Sequence, residues 1–589
     1  MVIGGIDLNT SKTLKKRAIR EDKLAKYYSS HASSSSASSS LTVSEQVEQE
    51  DNTDNIKPDG NVFELPRWQR EGSSQQMRIS LKNVAAVSDR YGLSNRETAA
   101  ISSAVLKDVG LVTDEDTSKV VDKCKIQRER SKFRAEQQEN AATQYSGMEV
   151  QGLYFDGRID KNTICQVKEG SKYYRRVVKE DHISIVQEPG GKYFGHVTTP
   201  SGSADDVSSA VLSHLEHSNV DMKSVKVIGT DGTSTNTGHI GGAIRLIETK
   251  LQQPVQWLIC LLHFNELPLR HLVQHVDGPT SGPAGFKGPI GSSLDNCEQL
   301  PVKKFKMVTV NLPDLSFVEL SKDQKYLYDI CQAIGAGNCP EDLARRDPGP
   351  LSHSRWLTCA NRILRLYIST YRPNTKLQTL VTFILKVYAP MWFAIKANPS
   401  CIDGTLHLWN YIVKSRYLPS KQRDVVDTVI QTNAFFAHHE NILLTMLGDE
   451  QKCLRELAVR RVTNARARAL GAAISDSPRQ FIVPKINFQA KQYCDIIDWP
   501  EAVTEPPILR GLPTADIEAC VEDAAKIREL VGLFPNHTQA VERCVKLVTM
   551  ASERVCGPEA RDGFIRATLL SRETMPFFGS KKDFKGIDL

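Results

Sequence analysis

The spacing of apolar positions changes character along the chain, and each change predicts a different element. From about Ile79, Val84, Val87 and Tyr91 recur at helical spacing, and Gly92 reads as a helix stop. Ser94 and Glu97 form a capping box that opens a second helix through Ala100, Ile101, Ala104 and Val105. A basic helical stretch covers 119–138. Helix, Gly turn and capped helix is the outline of a helix-turn-helix, and equally of a plain helical hairpin. Near Glu149 the period shifts. A strand is predicted over 150–155, ending in Asp156-Gly157-Arg158, with further strands at 163–167 and 183–187. Pro189-Gly190-Gly191 turns the chain into another at 192–197. A helix from Ser203 follows, with Asp206 at the capping position and Val207, Val211 and Leu215 on its apolar side. The next apolar run ends at Gly229, just before Asp231. A helix carrying Ile240, Ala243, Ile244, Ile247 and Leu251 on one face leads to a strand over 256–261, with Cys260-x-x-His263 at its end and a helix after His263.

The region 276–530 reads as mostly helical. It opens with a Gly/Pro-rich loop over 278–293, and helical patterns follow at 326–334, 356–367, 377–388, 442–470 and 517–533. Asn536 and Gln539 then read as a cap for a late helix with Val541, Cys544, Val545 and Val548 on one side and Glu542 in its second turn. At the other end, the Ser/Ala run 29–40 and the acidic polar stretch 45–54 have too little apolar surface to order, which makes 1–75 a disordered tail. The predicted divisions are therefore the tail 1–75, a small helical domain 76–145, an α/β core 146–275, a helical insertion 276–530, a final core helix region 531–575 and a tail 576–589.

Antiparallel-type strands, helix, strand, helix, strand, helix is the outline of the ribonuclease H-like fold. The fold class predicted is thus α/β, a ribonuclease H-like mixed sheet interrupted by a large all-helical insertion. In that fold the strand before Asp156 and the strand before Asp231 are neighbours. Two carboxylates brought together repel unless a cation sits between them, and Mg²⁺ seeks oxygen ligands. Glu542 supplies a third carboxylate, with Glu553 as its rival.

Composition changes this picture little. The chain has 589 residues, 40% hydrophobic and 24% charged, which is ordinary for a globular protein. A net charge of +6 permits nucleic-acid binding without demanding it. The 13 cysteines are scattered with no C-x-x-C pair, which, with no signal peptide, suggests a reducing intracellular compartment. No apolar run in the sequence approaches the length of a transmembrane helix, so no membrane partner is expected. Lys15-Lys16-Arg17 reads as a nuclear address or as a solvated charge run.

Four landmarks in order give a resemblance: Asp156 after the opening strand; Asp231-Gly232-Thr233-Ser234-Thr235-Asn236 followed by Cys260-x-x-His263; Ser354-Arg355-Trp356; and Val541-Glu542-Arg543 with Arg561-Asp562-Gly563 downstream. Over 150–570 the chain resembles the hAT superfamily of DNA transposases and the host proteins descended from them. Two departures stand out. The late motif continues into Cys544-Val545 where the family usually has an aromatic and a Ser, and the amino end lacks the family's Cys/His zinc finger, Cys124 standing alone. The resemblance implies a nuclear protein that associates with copies of itself and acts on transposon ends or host DNA. It implies Asp156, Asp231 and Glu542 holding Mg²⁺ (or Mn²⁺) for strand cleavage and transfer. A host DNA-binding or protein-interaction factor with a silent site is the alternative, and a nuclease without a joining step is a third.

Each residue also has a plainer reading. Asp156 and Asp231 both precede Gly and suit Asx-type turns, and Glu542 suits a solvated helix face. Cys260 and His263 resemble half a zinc site without its partner pair, which leaves Cys260 as a buried strand residue and His263 as a DNA contact. Trp356, beside Arg355, would stack on an unpaired base or anchor a helix in the core. The run containing Arg455, Arg460, Arg461, Arg466 and Arg468 would track phosphates or form a salt-bridged helix face.

Overall fold

Capping decides where the first helices begin and end. In the computed structural model, which describes residues 80–169, 172–281, 285–315, 320–351, 356–471, 483–499, 505–531 and 534–574, α1 (Lys82–Tyr91) stops at Gly92 with φ +67°. The Ser94–Glu97 capping box opens α2 (Asn95–Asp108), and α3 (Lys123–Tyr145) starts from an Asp122 cap. The tail 1–75, the cluster Lys15-Lys16-Arg17, Arg355 and the segment 576–589 lie outside the described residues. The basic stretch on α3 is not a uniform exposed face. Arg130 and Arg134 both donate to Asp89 of α1, at 2.7 and 2.8 Å from their Nε atoms, and Asp89 is fully buried.

The sheet has five strands in the order β3-β2-β1-β4-β5. β1 (Gly152–Glu169) pairs antiparallel with β2 (Lys172–Glu188), and β2 with β3 (Lys192–Thr199). The strands predicted at 150–155 and 163–167 are parts of one strand, interrupted only by a register shift between Asp160 and Thr163. Asp156 therefore lies inside β1 and not in a turn after it, because Ser184 of β2 pairs with it and keeps Asp-Gly extended. Helix α4 (Ala204–His217) is capped by the Ser203 hydroxyl, which accepts from the Asp206 N–H at 3.2 Å, so Ser203 and not Asp206 is the cap. β4 (Val227–Thr230) and β5 (Gln256–Ile259) run parallel to β1 and are buried at every position, as central parallel strands are. Between them α5 (Ala243–Leu251) packs against α4, and Val207, Val211, Leu215, Ile244 and Ile247 join Trp257 in one core. Ile240 precedes this helix and is 82% exposed. β5 ends at Ile259, and Cys260 is the N-cap of α6 (Leu261–Asp277), which puts His263 in a helical first turn and takes Cys260 out of the strand.

The region after α6 is mostly helical: α7 (Lys322–Ala336), α8 (Trp356–Ser369), a helical run Thr375–Ala397, a helix Gly404–Ser415, α9 (Ser420–Gln431) and α10 (Lys452–Gly471), with shorter helices and loops between. The pattern at 442–470 is two helices, Asn441–Leu447 and α10, separated where the Asp449 carboxylate accepts from the Gln451 N–H at 2.8 Å. The pattern at 517–533 is likewise two short helices, Thr514–Ala519 and Lys526–Val531. The run Thr375–Ala397 is long and apolar enough to cross a membrane, contrary to the reading from the sequence, but it is mostly buried inside the protein. It contains a π turn, Ile384–Tyr388, just before Pro390, whose missing N–H cannot complete the regular ladder.

The chain then returns to the sheet. α11 (Gln539–Ser552) packs across β1, β2 and β3, and α12 (Pro558–Thr574) packs on α1 and α3. The N-terminal helices thus share one compact unit with the sheet through the last helix. Replacing Asp89 by Ala leaves two largely buried guanidiniums without a counter-ion. We expect a loss of about 3–5 kcal/mol in urea unfolding; a midpoint equal to that of the wild type would show that Asp89 does not hold these helices.

Candidate functional site, a carboxylate cluster at the β1–β4 edge

Strand register brings the first two acids together. Gly152, Leu153 and Tyr154 of β1 lie opposite Val227, Ile228 and Gly229 of β4. β4 ends at Thr230 and Asp231 follows directly, so the chain leaves this register with Asp231 close enough for its charge to act on Asp156. Asp156 is half-buried, and its Oδ1 accepts only the neighbouring Gly157 N–H, at 2.8 Å. Burial, then the Asp231 charge, and more weakly Glu542, push its carboxyl up to about 7, against the opposing Gly157 hydrogen bond. Asp231 does form an Asx-type turn. Its Oδ1 accepts from the Thr233 N–H (3.2 Å), the Thr233 hydroxyl (2.8 Å) and the Asn236 amide (2.7 Å). The Thr and Asn of this polar stretch therefore fix one carboxylate oxygen and leave Oδ2 outside that network.

The third acid arrives on a segment tied down from three sides. The Tyr154 hydroxyl donates to the Pro535 carbonyl at 2.8 Å, the Leu261 N–H donates to the Asn536 carbonyl at 3.0 Å, and the Cys401 N–H donates to the Phe534 carbonyl at 2.8 Å. Asn536 is buried and donates to the Ser400 carbonyl; the helix cap is the Thr538 side chain, which accepts from the Ala540 N–H at 3.1 Å. Glu542 follows in the first turn of α11 and is exposed. Its charge reaches Asp156. Glu553 caps the far end of the same helix, roughly 16 Å along it.

Glu266, one helical turn after His263 on α6, was not singled out from the sequence. Burial first, then Glu542, push its carboxyl up to about 8, so it is mainly protonated at neutral pH. The signal available in the sequence was the His263-x-x-Glu266 spacing behind a strand. His263 is half-buried, and burial lowers its pKa while Asp231 opposes the shift. A side chain at Gly232 would come within 3.2 Å of the His263 ring, so this glycine lets the Asp231 turn lie against α6. Cys260 sits 3.5 Å from the His537 ring, and burial pushes its thiol up to about 12, far from the thiolate that zinc needs. Among the described residues no three His, Cys, Asp or Glu side chains are gathered closely enough to hold one ion.

No family model and no curated protein matches this chain.

The other residues singled out from the sequence do not join the cluster. Trp356 is 3% exposed at the start of α8, its ring edge-on to Phe286, and is closed to a stacking base. Arg461 stacks 4.1 Å over the Trp499 ring, Arg455 is buried and donates to the Val521 and Asp449 carbonyls, and Arg466 pairs with Glu505. These three arginines fasten α10 to its neighbours and cannot also track phosphates; Arg460 is exposed. A cleft of about 420 Å³ between α6 and the end of α9 opens at Gly232, lined also by Leu267, His271, Thr428 and Asn433.

The Asp156 carboxyl has a pH signature. Its native pKa, about 7, lies above the unfolded value of about 3.9. Below pH ~4 both states hold the proton; from there to about 7 only the native state does, so stability is lost as pH rises through this window. Asp156→Asn should match the wild type in melting temperature near pH 4 and exceed it at pH 8 in metal-free buffer. A difference that does not change with pH would remove the repulsion inferred between Asp156 and Asp231.

Proposed function

We propose that this chain is a hAT-like transposase, or a descendant of one, that cuts and joins DNA at a carboxylate site on a ribonuclease H-like core. The observation that carries this is the nearness of Asp156, inside β1, to Asp231, just past the end of the adjacent parallel strand β4, where burial first and then the Asp231 charge raise the Asp156 carboxyl. The strand order β3-β2-β1-β4-β5, with α11 bringing Glu542 across the sheet, supports the fold reading.

The donor set is all oxygen and suits Mg²⁺ or Mn²⁺. Asp156 and Asp231 would hold the metal, and Glu542, on an exposed helical turn within electrostatic reach, would complete the set. When bound, such ions activate a water or a 3′-hydroxyl and steady the leaving oxygen in phosphodiester transfer. The chain's own contribution is orientation. Thr233 and Asn236 fix Asp231 by one oxygen, and Tyr154 fixes the segment that launches Glu542. His263, held neutral by burial beside Asp231, offers a hydrogen bond to the DNA or its nucleophile. The work would be done in the nucleus, where the DNA is, with a second copy of the chain to handle the second transposon end.

One observation favours a second reading, a DNA-binding or protein-interaction factor that no longer uses the site: no three of these side chains close to ligating distance around one point among the described residues. Purified protein should nick DNA carrying its element's terminal repeats in Mg²⁺ or Mn²⁺. Asp231→Ala and Asp156→Ala should each lose about 100-fold or more, a barrier rise of roughly 3 kcal/mol. A wild type indistinguishable from Asp231→Ala in both metals would leave the binding-factor reading.

A further inference from the structure

β1 and β2 go on pairing after the rest of the sheet has stopped. β4 pairs with β1 only at 152–154, and β3 with β2 only from Asp181 onward. From Thr163↔Val178 to Glu169↔Lys172 the two strands therefore stand alone as a ribbon, roughly 20 Å long. A two-stranded ribbon is marginal by itself in water.

The ribbon also carries a local surplus of positive charge. Between 161 and 179 the chain carries Lys161, Lys168, Lys172, Arg175, Arg176 and Lys179 against the single acid Glu169, a surplus of five in a chain whose net charge is +6. The acids at its base are already engaged. Asp160 lies 3.5 Å from Arg158, and Glu180 pairs with Arg561 at 3.1 Å.

The two faces of the ribbon differ. On one, Thr163 is buried near its base, where His182 in turn meets the Ser552 hydroxyl at the end of α11. On the other, Arg175, Val177 and Lys179 alternate along β2 and so point the same way, with Gln166 directly across from Arg175. All four are exposed, Val177 at 65%. An open row of cations around an exposed valine has charge complementarity with a polyanion that also offers apolar surface. The major groove of duplex DNA, about 12 Å wide, admits a two-stranded ribbon, lines its walls with phosphates and presents thymine methyl groups.

We propose that the 163–178 ribbon is a DNA-binding arm whose open face, bearing Arg175, Val177 and Lys179, enters the major groove of duplex flanking the carboxylate site. Asp156 lies on the same strand, so the arm meets the duplex roughly 20 Å from the bond to be cut. This rests on the proposed function only in taking DNA as the substrate.

The test measures binding without cleavage. Full-length protein is titrated by fluorescence anisotropy against an about 30-base-pair duplex, which spans both arm and site at roughly 3.4 Å per base pair, in EDTA over a series of salt concentrations. The double variant Arg175→Glu, Lys179→Glu should bind about tenfold or more weakly, with the slope of log affinity against log salt reduced by about 2. Replacing the same two residues by Gln, which keeps the strand polar and uncharged, should lower the slope in the same direction and covers the case in which charge reversal impairs folding. A Gln variant that folds like the wild type and keeps both its affinity and its salt slope overturns the proposal. A variant whose binding falls on anionic lipid vesicles but not on DNA also overturns it. Because metal is absent, loss of cleavage by the wild type in Mg²⁺ with duplex binding intact would count against the catalytic reading alone.

Discussion

The hydrogen bond from Tyr154 to the Pro535 carbonyl is the contact on which the arrangement of the site depends. The Tyr154 ring lies over β4 at Gly229, where even a methyl group would meet it at 2.1 Å. The same short stretch of backbone, Phe534 to Asn536, is bonded to the first residue of α6 and to the inserted region at Pro399 and Cys401. Every group of the cluster is a fixed short step from one of these anchors. Asp156 is two residues after Tyr154, Asp231 is two after Gly229, His263 is two after Leu261, and Glu542 follows the Thr538 cap. Sheet, helix and the helical region are thereby registered to one another through the carbonyls and N–H of one short segment, by the Tyr154 hydroxyl and by backbone hydrogen bonds.

The electrostatics of the molecule divide by role. Several arginines that look free in the sequence neutralise or support the interior: Arg130 and Arg134 at Asp89, Arg362 at Glu298, Arg466 at Glu505, Arg561 at Glu180. Among the described residues no such neutralising partner meets Asp156 or Glu266, and both carboxyls are raised by burial and by like charge. A chain that places cations beside buried acids in several places leaves these acids facing one another, and a surplus of positive charge stands on the ribbon that β1 and β2 form beyond Asp156.

Much of the sheet was legible in the sequence because its strands are short apolar runs closed by Gly, Pro or acids, and because β4 and β5 are buried on both faces. The neighbouring acids followed from that order. What was not legible depended on partners far along the chain. The unbroken length of β1 is set by β2, which keeps Asp156-Gly157 extended where the dipeptide alone favours a turn. Glu266 looks like any solvated helical acid until α11 brings Glu542 over it. Trp356 and the arginines of α10 have side chains that suit either a surface or a core, and only the packing of Phe286, Trp499, Val521 and Glu505 decides between them.

The hydrogen bond between Tyr154 and Pro535 spans 381 residues of chain. During synthesis at about 5–20 residues per second, the β1 strand waits roughly 20 to 75 seconds before the segment that covers it leaves the ribosome. For that interval the face of β1, β2 and β3 that α11 will occupy has no cover, and the carboxylate cluster does not exist as a unit. A nascent chain in this state exposes strand surface open to wrong partners and is a natural client for a chaperone. The activity proposed for the site can therefore appear only after α11 has been made, since that helix would supply its third carboxylate.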